Sequence, residues 1–197
     1  MTTHLSRGIA VSGAYGHTGR FVLAELRRRG FVPVACGRDA ARLRELAAET
    51  GVEVRVAATD DAAALDAAFA GTAAVLHCAG PFLDTAAPVL DAALRARIHY
   101  LDVAAEQRAV TGTLARDGEA KAAGVTVLPA MAFYGGLADL LASAALDGAT
   151  EADAVDIAVA LDGWHPTRGT RLTGDRNHYP RTYIEHGHTC TVPDPAP

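Results

Sequence analysis

Near the start of the chain an apolar run leads into Gly13-Ala14-Tyr15-Gly16-His17-Thr18-Gly19 and then into an amphipathic segment, so three glycines spaced G-x-x-G-x-x-G join a strand to a helix. This turn constrains the fold more than any other feature. A helix N-terminus offers free N–H groups and the positive end of the dipole, but an anion reaches them only where no side chain intervenes. Gly13 permits the sharp turn off the strand, Gly16 lets the backbone approach a pyrophosphate, and Gly19 lets the helix pack closely on a sheet. Thr18 either adds a hydroxyl to the phosphate or caps the helix. The glycines could also serve a tight turn alone; what speaks for phosphate is the context, a strand before and a helix after within a longer alternation.

That alternation runs from residue 8 to about residue 146, as short apolar runs each followed by a segment with helical spacing. Strands are predicted at 9–12, 32–36, 52–57, 73–79, 100–104 and 125–130, and helices at 18–29, 39–50, from 60 or 61 onward, 85–96, 111–123 and 136–146. Gly30 and Gly51 stand where helices should close, while Asp39, Asp60 and Asp61 stand where they should open. Strands alternating with helices predict right-handed crossovers in a parallel sheet. The expected fold class is therefore α/β, a doubly wound parallel (Rossmann) sheet over 1–148, with the beginning of a second α+β domain over 149–197. Within that second part, 154–161 reads as a strand, 163–187 is rich in Gly, Pro, Arg, His and Thr, and the last six residues read as an extended tail.

Several classes are disfavoured by composition. The 197 residues carry a formal net charge of -5 with acids and bases interspersed, which gives no basic face for nucleic acid or an anionic membrane. No apolar run approaches membrane-spanning length, and residues 1–7 lack the apolar stretch of a signal peptide. Cys36, Cys78 and Cys190 are three, widely spaced and partly within apolar runs, so no disulfide framework is expected and a cytoplasmic location fits best. His186, His188 and Cys190 alternate, so a strand over 183–192 would set them on one face, with His178 nearby. Their spacing matches no familiar zinc module, and a solvated second-domain strand is the better reading.

The end of the second strand selects the cofactor. NAD sites present an acid there to the ribose hydroxyls, whereas NADP sites present an arginine to the 2′-phosphate. The strand ends in Cys36-Gly37-Arg38 with no acid before Arg38, and a guanidinium grips phosphate by charge-assisted, bidentate bonds. NADP(H) is therefore the expected cofactor. Asp39 leaves NAD(H) as the lesser alternative, although a helix N-cap is its simpler role.

With these residues placed, the chain resembles the saccharopine dehydrogenase-like oxidoreductases, including bacterial relatives called trans-acting enoyl reductases. The resemblance rests on the glycine turn, on Cys36-Gly37-Arg38, on Leu76-His77-Cys78-Ala79-Gly80-Pro81-Phe82 and on His99-Tyr100-Leu101-Asp102. It implies that Cys78, Ala79, Gly80 and Pro81 lie beside the ribose and nicotinamide, and that Asp60 is the nearest acid to the adenine position, later than the strand end held by Ala57 and Ala58. It also implies a second lobe that covers the nicotinamide, of which residues 164–170 resemble the beginning.

Hydride transfer needs the nicotinamide held against a substrate and at most a proton donor from the protein. Tyr100, Asp102 and His77 fall at strand ends facing the expected crevice, and Asp102 is the first choice for the catalytic group, with loop anchoring as its structural alternative. The expectation is an NADP(H)-dependent oxidoreductase acting on a small-molecule substrate, with a homodimer or a partner chain supplying the second lobe. A non-catalytic NADP(H)-binding sensor is the alternative.

Overall fold

The computed structural model describes residues 8–149 and 151–192; the polar start and the proline-rich 193–197 lie outside the described residues. The first part alternates as expected: β1 (Gly8–Ser12), α1 (His17–Arg28), β2 (Val32–Gly37), α2 (Ala40–Thr50), β3 (Glu53–Val56), α3 (Ala62–Phe69), β4 (Ala74–His77), α4 (Phe82–Ala96) and β5 (His99–Asp102). Two short helices, α5 (Gln107–Leu114) and α6 (Asp117–Ala123), then precede β6 (Val127–Leu128) and α7 (Gly136–Leu146). All six strands run parallel in the order β3-β2-β1-β4-β5-β6. The chain leaves β1 toward β2 and β3 and then crosses to β4 on the other side, so the strand order reverses between β1 and β4. Ligands of open parallel sheets bind at that reversal, outside the carboxyl ends of the strands.

Side-chain alternation along the central strands explains why helices cover both faces. Ala10, Val34, Cys36, Val75 and Tyr100 pack with Leu65, Phe69, Val89 and Leu90 of α3 and α4. Their neighbours Val11 and Ala35 turn the other way, onto Leu23, Leu43 and Leu46 of α1 and α2. Each buried leucine contributes about 1.5–3 kcal/mol, so the two layers fix the sheet from both sides.

Helix ends follow the predicted punctuation. Asp39 accepts hydrogen bonds from the N–H groups of Ala41 and Arg42, and Asp61 accepts one from Ala64 N–H. Gly51 closes α2 at φ +69°, and Gly30, at φ +78°, follows the cap of α1. Thr18 lies inside the first turn of α1, whose N-cap is Gly16, so it does not cap that helix.

Other expectations are corrected. β4 stops at His77 rather than at residue 79, and α4 begins at Phe82, before the expected residue 85, because the buried Glu106 carboxylate accepts the Phe82 N–H at 2.9 Å. The predicted helix 111–123 is two helices, broken at Ala115 and Arg116. The predicted strand 154–161 is absent: among the described residues no strand pairs with it, and Val155, Ile157, Val159 and Leu161 are about half exposed. The segment 163–187 contains a helix, α8 (Arg168–Arg176), opened by the Thr167 hydroxyl. Residues 183–192 are no single strand, because β7 (Thr182–Glu185) and β8 (His188–Thr191) form an antiparallel hairpin that turns at His186 and Gly187. His186 therefore leaves the face shared by His188 and Cys190.

The hairpin returns to the first part. Gln107 and Thr182 exchange two hydrogen bonds, of 2.9 and 2.8 Å, and the Arg108 guanidinium lies 4.2 Å from the centre of the Tyr179 ring.

Candidate functional site

Three segments meet at the reversal between β1 and β4: the glycine turn after β1, the end of β2, and residues 78–81 after β4. Gly13 adopts φ +80°, and the N–H groups of Gly13 and Ala14 donate to the Cys36 carbonyl at 3.0 and 3.2 Å. The turn is thereby tied to β2. A Cβ on Gly19 would overlap the Gly13 carbonyl oxygen and stand 2.8 Å from Ala14 Cα, so the first turn of α1 is packed onto the turn to the limit that glycine allows. A Cβ on Gly13 would stand 2.9 Å from the Ala79 nitrogen, which shows how closely the 78–81 segment approaches. No side chain caps α1 at Gly16, which leaves its first-turn amides and the positive end of its dipole for an anion. Ala14 is buried, while His17 and Thr18 are exposed.

Tyr15 links the turn to the end of β2. Its ring lies where a Cβ on Gly37 would fall, 2.5 Å from Cε1, and its hydroxyl accepts the Asp39 N–H at 3.2 Å. Arg38 projects from this corner, exposed, and its guanidinium makes no hydrogen bond or ion pair with any described residue. Beside it Arg42 stacks 4.4 Å from the centre of the Tyr15 ring and donates to the Tyr15 carbonyl. Arg42 escaped the sequence reading, although an arginine in the first turn of the following helix, four residues after Arg38, was the available signal. Asp60 is exposed in the turn after β3 and has no contact with the glycine turn among the described residues.

On the other side of the reversal, Cys78 N–H donates to the Ser12 carbonyl at 2.8 Å and the Cys78 side chain packs on the α1 and α2 layer. Burial and the nearby Asp102 charge push the Cys78 thiol up to about 12, and burial does the same to Cys36. Neither is a nucleophile at neutral pH. The Thr85 hydroxyl reaches the carbonyls of Ala79 and Pro81, and α8 passes near, with Thr173 Oγ1 3.3 Å from where a Gly80 Cβ would stand.

Asp102 ends β5 and is 1% exposed. Its carboxylate accepts the Tyr100 hydroxyl at 2.8 Å, Ala104 N–H at 2.9 Å and Ala130 N–H at 2.8 Å. The expectation of Asp102 as the catalytic group is thereby revised toward its structural alternative, because a buried carboxylate with three donors anchors the loops after β5 and β6. Desolvation and the Asp102 charge raise the Tyr100 phenol far above its ordinary range. Among the described residues no three His, Cys, Asp or Glu side chains are gathered as a metal site.

Residues 9–128 match the family described as the saccharopine dehydrogenase NADP binding domain. The chain belongs to that family. Among solved structures, the triphenylmethane reductase of Citrobacter sp. complexed with NADP(H) is 26% identical at a TM-score of 0.51, over 61% of this chain and 48% of that one. The NADPH-dependent quinone oxidoreductase QOR2 of Escherichia coli, complexed with NADPH, is 25% identical at 0.51, over 71% and 54%. Apo saccharopine dehydrogenase (L-Glu forming) from Saccharomyces cerevisiae shares the fold, at 20% identity and a TM-score of 0.62 over 71% and 30%. The chain thus spans between 30% and 54% of the length of these proteins. No curated protein matches it.

The residues of this NADP-binding domain fit NADP(H). The turn has the shape a pyrophosphate needs and only glycine permits it, since side chains at Gly13 and Gly19 would collide with Ala79 and with the Gly13–Ala14 backbone, and the cationic corner at Arg38 and Arg42 suits a 2′-phosphate while offering the ribose no acid ahead of Arg38. Asp39, the residue that kept NAD(H) open, is engaged as the cap of α2. No helix of the described residues is long and apolar enough to cross a membrane.

Proposed function

We propose that this domain serves an NADP(H)-dependent oxidoreductase that moves a hydride to or from a small metabolite at the carboxyl ends of β4 and β5. Arg38 carries the reading: it is an exposed guanidinium without a partner among the described residues, at the strand end where the 2′-phosphate of NADP is read. The first-turn amides of His17, Thr18 and Gly19 hold the pyrophosphate, while the Gly16 N–H closes the turn onto the Gly13 carbonyl. Cys78, Ala79, Gly80 and Pro81 flank the ribose and nicotinamide, and their small side chains allow close approach. The bound cofactor supplies the hydride chemistry. The chain's part is to orient it, with Asp102 fixing the neighbouring loops and α8 crossing near Gly80.

Titration of the purified chain with NADPH and NADH tests this. Wild type should prefer NADPH, and Arg38→Ala should lose about 1.5–3 kcal/mol of NADPH affinity, roughly ten- to a hundredfold, with NADH little changed. Equal affinity for the two cofactors, or an unaltered preference in the variant, would refute the assignment.

The sensor reading has one observation in its favour. The three candidate proton donors, His77, Tyr100 and Asp102, are buried, and each is hydrogen-bonded within the protein. Incubating the NADPH complex with carbonyl, imine and enoyl acceptors separates the two, since only an oxidoreductase consumes the cofactor.

A further inference from the structure

His77 ends β4, is fully buried and leaves its Nδ1 without a hydrogen-bond partner among the described residues. Its Nε2 lies 3.0 Å from Thr85 Oγ1. That hydroxyl lies 2.7 Å from the Ala79 carbonyl oxygen and 2.9 Å from the Pro81 carbonyl oxygen. Carbonyls have no proton to give, so the single hydroxyl proton of Thr85 points toward them and its lone pair faces His77. The proton between His77 and Thr85 therefore sits on Nε2, and Nδ1 is the bare nitrogen. Phe82, edge-on at 5.1 Å, and Tyr100, at 6.3 Å, pack around the imidazole. A buried nitrogen with no partner is costly, and it is tolerated here together with a bond that orients a hydroxyl onto two carbonyls of one loop.

We infer that His77 and Thr85 are positioning residues: His77, through Thr85, fixes the carbonyls of Ala79 and Pro81 and so the face that residues 78–81 present to the reactive end of the cofactor. The inference rests on the reading that this loop flanks the nicotinamide. The rest of the loop is held in the same way. Cys78 N–H is bonded to Ser12 of β1, Phe82 N–H is bonded to Glu106, and Ala79 stands against Gly13. Thr85 is the side chain that joins the Ala79 and Pro81 carbonyls, the second of which also accepts the Asp84 N–H at 3.2 Å. Burial holds the imidazole down to about 3, so His77 stays uncharged across the neutral range and the Thr85 hydrogen bond sets its tautomer.

Adenosine 2′,5′-bisphosphate supplies the control, because it carries the 2′-phosphate and adenine but no nicotinamide. Thr85→Val should weaken NADPH roughly fivefold, the size of one hydrogen bond, while the bisphosphate stays within about twofold, and Thr85→Ser should bind both as wild type does. Nitrogen NMR of wild type should show His77 protonated on Nε2 and bare on Nδ1 between about pH 5 and 8. Unchanged NADPH affinity in Thr85→Val, equal weakening of both ligands, or a proton on Nδ1 would overturn the inference. Should Thr85→Val fail to fold, the wild-type tautomer and His77→Gln against His77→Leu decide it, with the glutamine expected to retain NADPH and the leucine to weaken it. A wild-type chain that binds no NADPH would instead bring down the cofactor reading itself, and this inference with it.

Discussion

A fully buried imidazole must be neutral in the folded protein, and that gives His77 a pH signature separate from its place beside the loop. Burial lowers its pKa from 6.5 to about 3, whereas in the unfolded chain it titrates near 6.5. Between those values the unfolded state binds a proton that the folded state does not. The stabilisation is therefore complete above about 6.5 and is lost as pH falls toward 3. In urea titrations at pH 7 and pH 5.5, wild type should lose about 1 kcal/mol more than His77→Gln, which has no proton to take up. Equal losses would mean that His77 is solvated. At this scale the sequence was legible where a residue acts by its type and place in a motif, as with Gly13 and Gly19 in the turn. It was silent on Thr85 and Glu106, whose roles depend on which carbonyl or amide the fold brings to them.

Elements were legible where polar punctuation brackets an apolar stripe. Asp39 and Gly51 delimit α2, and the Leu43 and Leu46 stripe between them faces the sheet. The cap makes a prediction of its own. Asp39→Ala removes the acceptor for two N–H groups and should cost about 1 kcal/mol in chemical denaturation, Asp39→Ser should recover most of it, and neither should abolish the preference for NADPH over NADH. A loss of that preference would make Asp39 a cofactor ligand rather than a cap. Elements were misread where a partner distant in sequence decides. α4 starts early because Glu106 caps it from 24 residues away, and the apolar alternation of 154–161 makes no strand because no neighbour among the described residues completes its ladder. Alternation reports a face that suits a sheet; pairing requires the second strand.

For the whole molecule, the parallel sheet and its two apolar layers are complete within residues 8–146, and so is every group placed around the cofactor except those of α8. Residues 151–167 contain no helix or strand and expose Val155, Ile157, Val159, Leu161 and Trp164, whereas α8 and the hairpin return through Gln107, Arg108 and Thr182. Backbone without internal hydrogen bonds opens at little free-energy cost and is cut first by proteases. Thermolysin, which cleaves before large apolar residues, should therefore cut first within 155–161. The larger fragment, ending there, should unfold cooperatively and still bind NADPH, because the glycine turn, Arg38 and the 78–81 loop all lie within it. Mass spectrometry of the first products checks the cut, and titration of the isolated fragment checks the binding. A first cut inside 8–146 would place the weak point within the sheet itself, and a fragment that folds but no longer binds NADPH would make α8, through its approach to Gly80, part of the cofactor site rather than a cover over it.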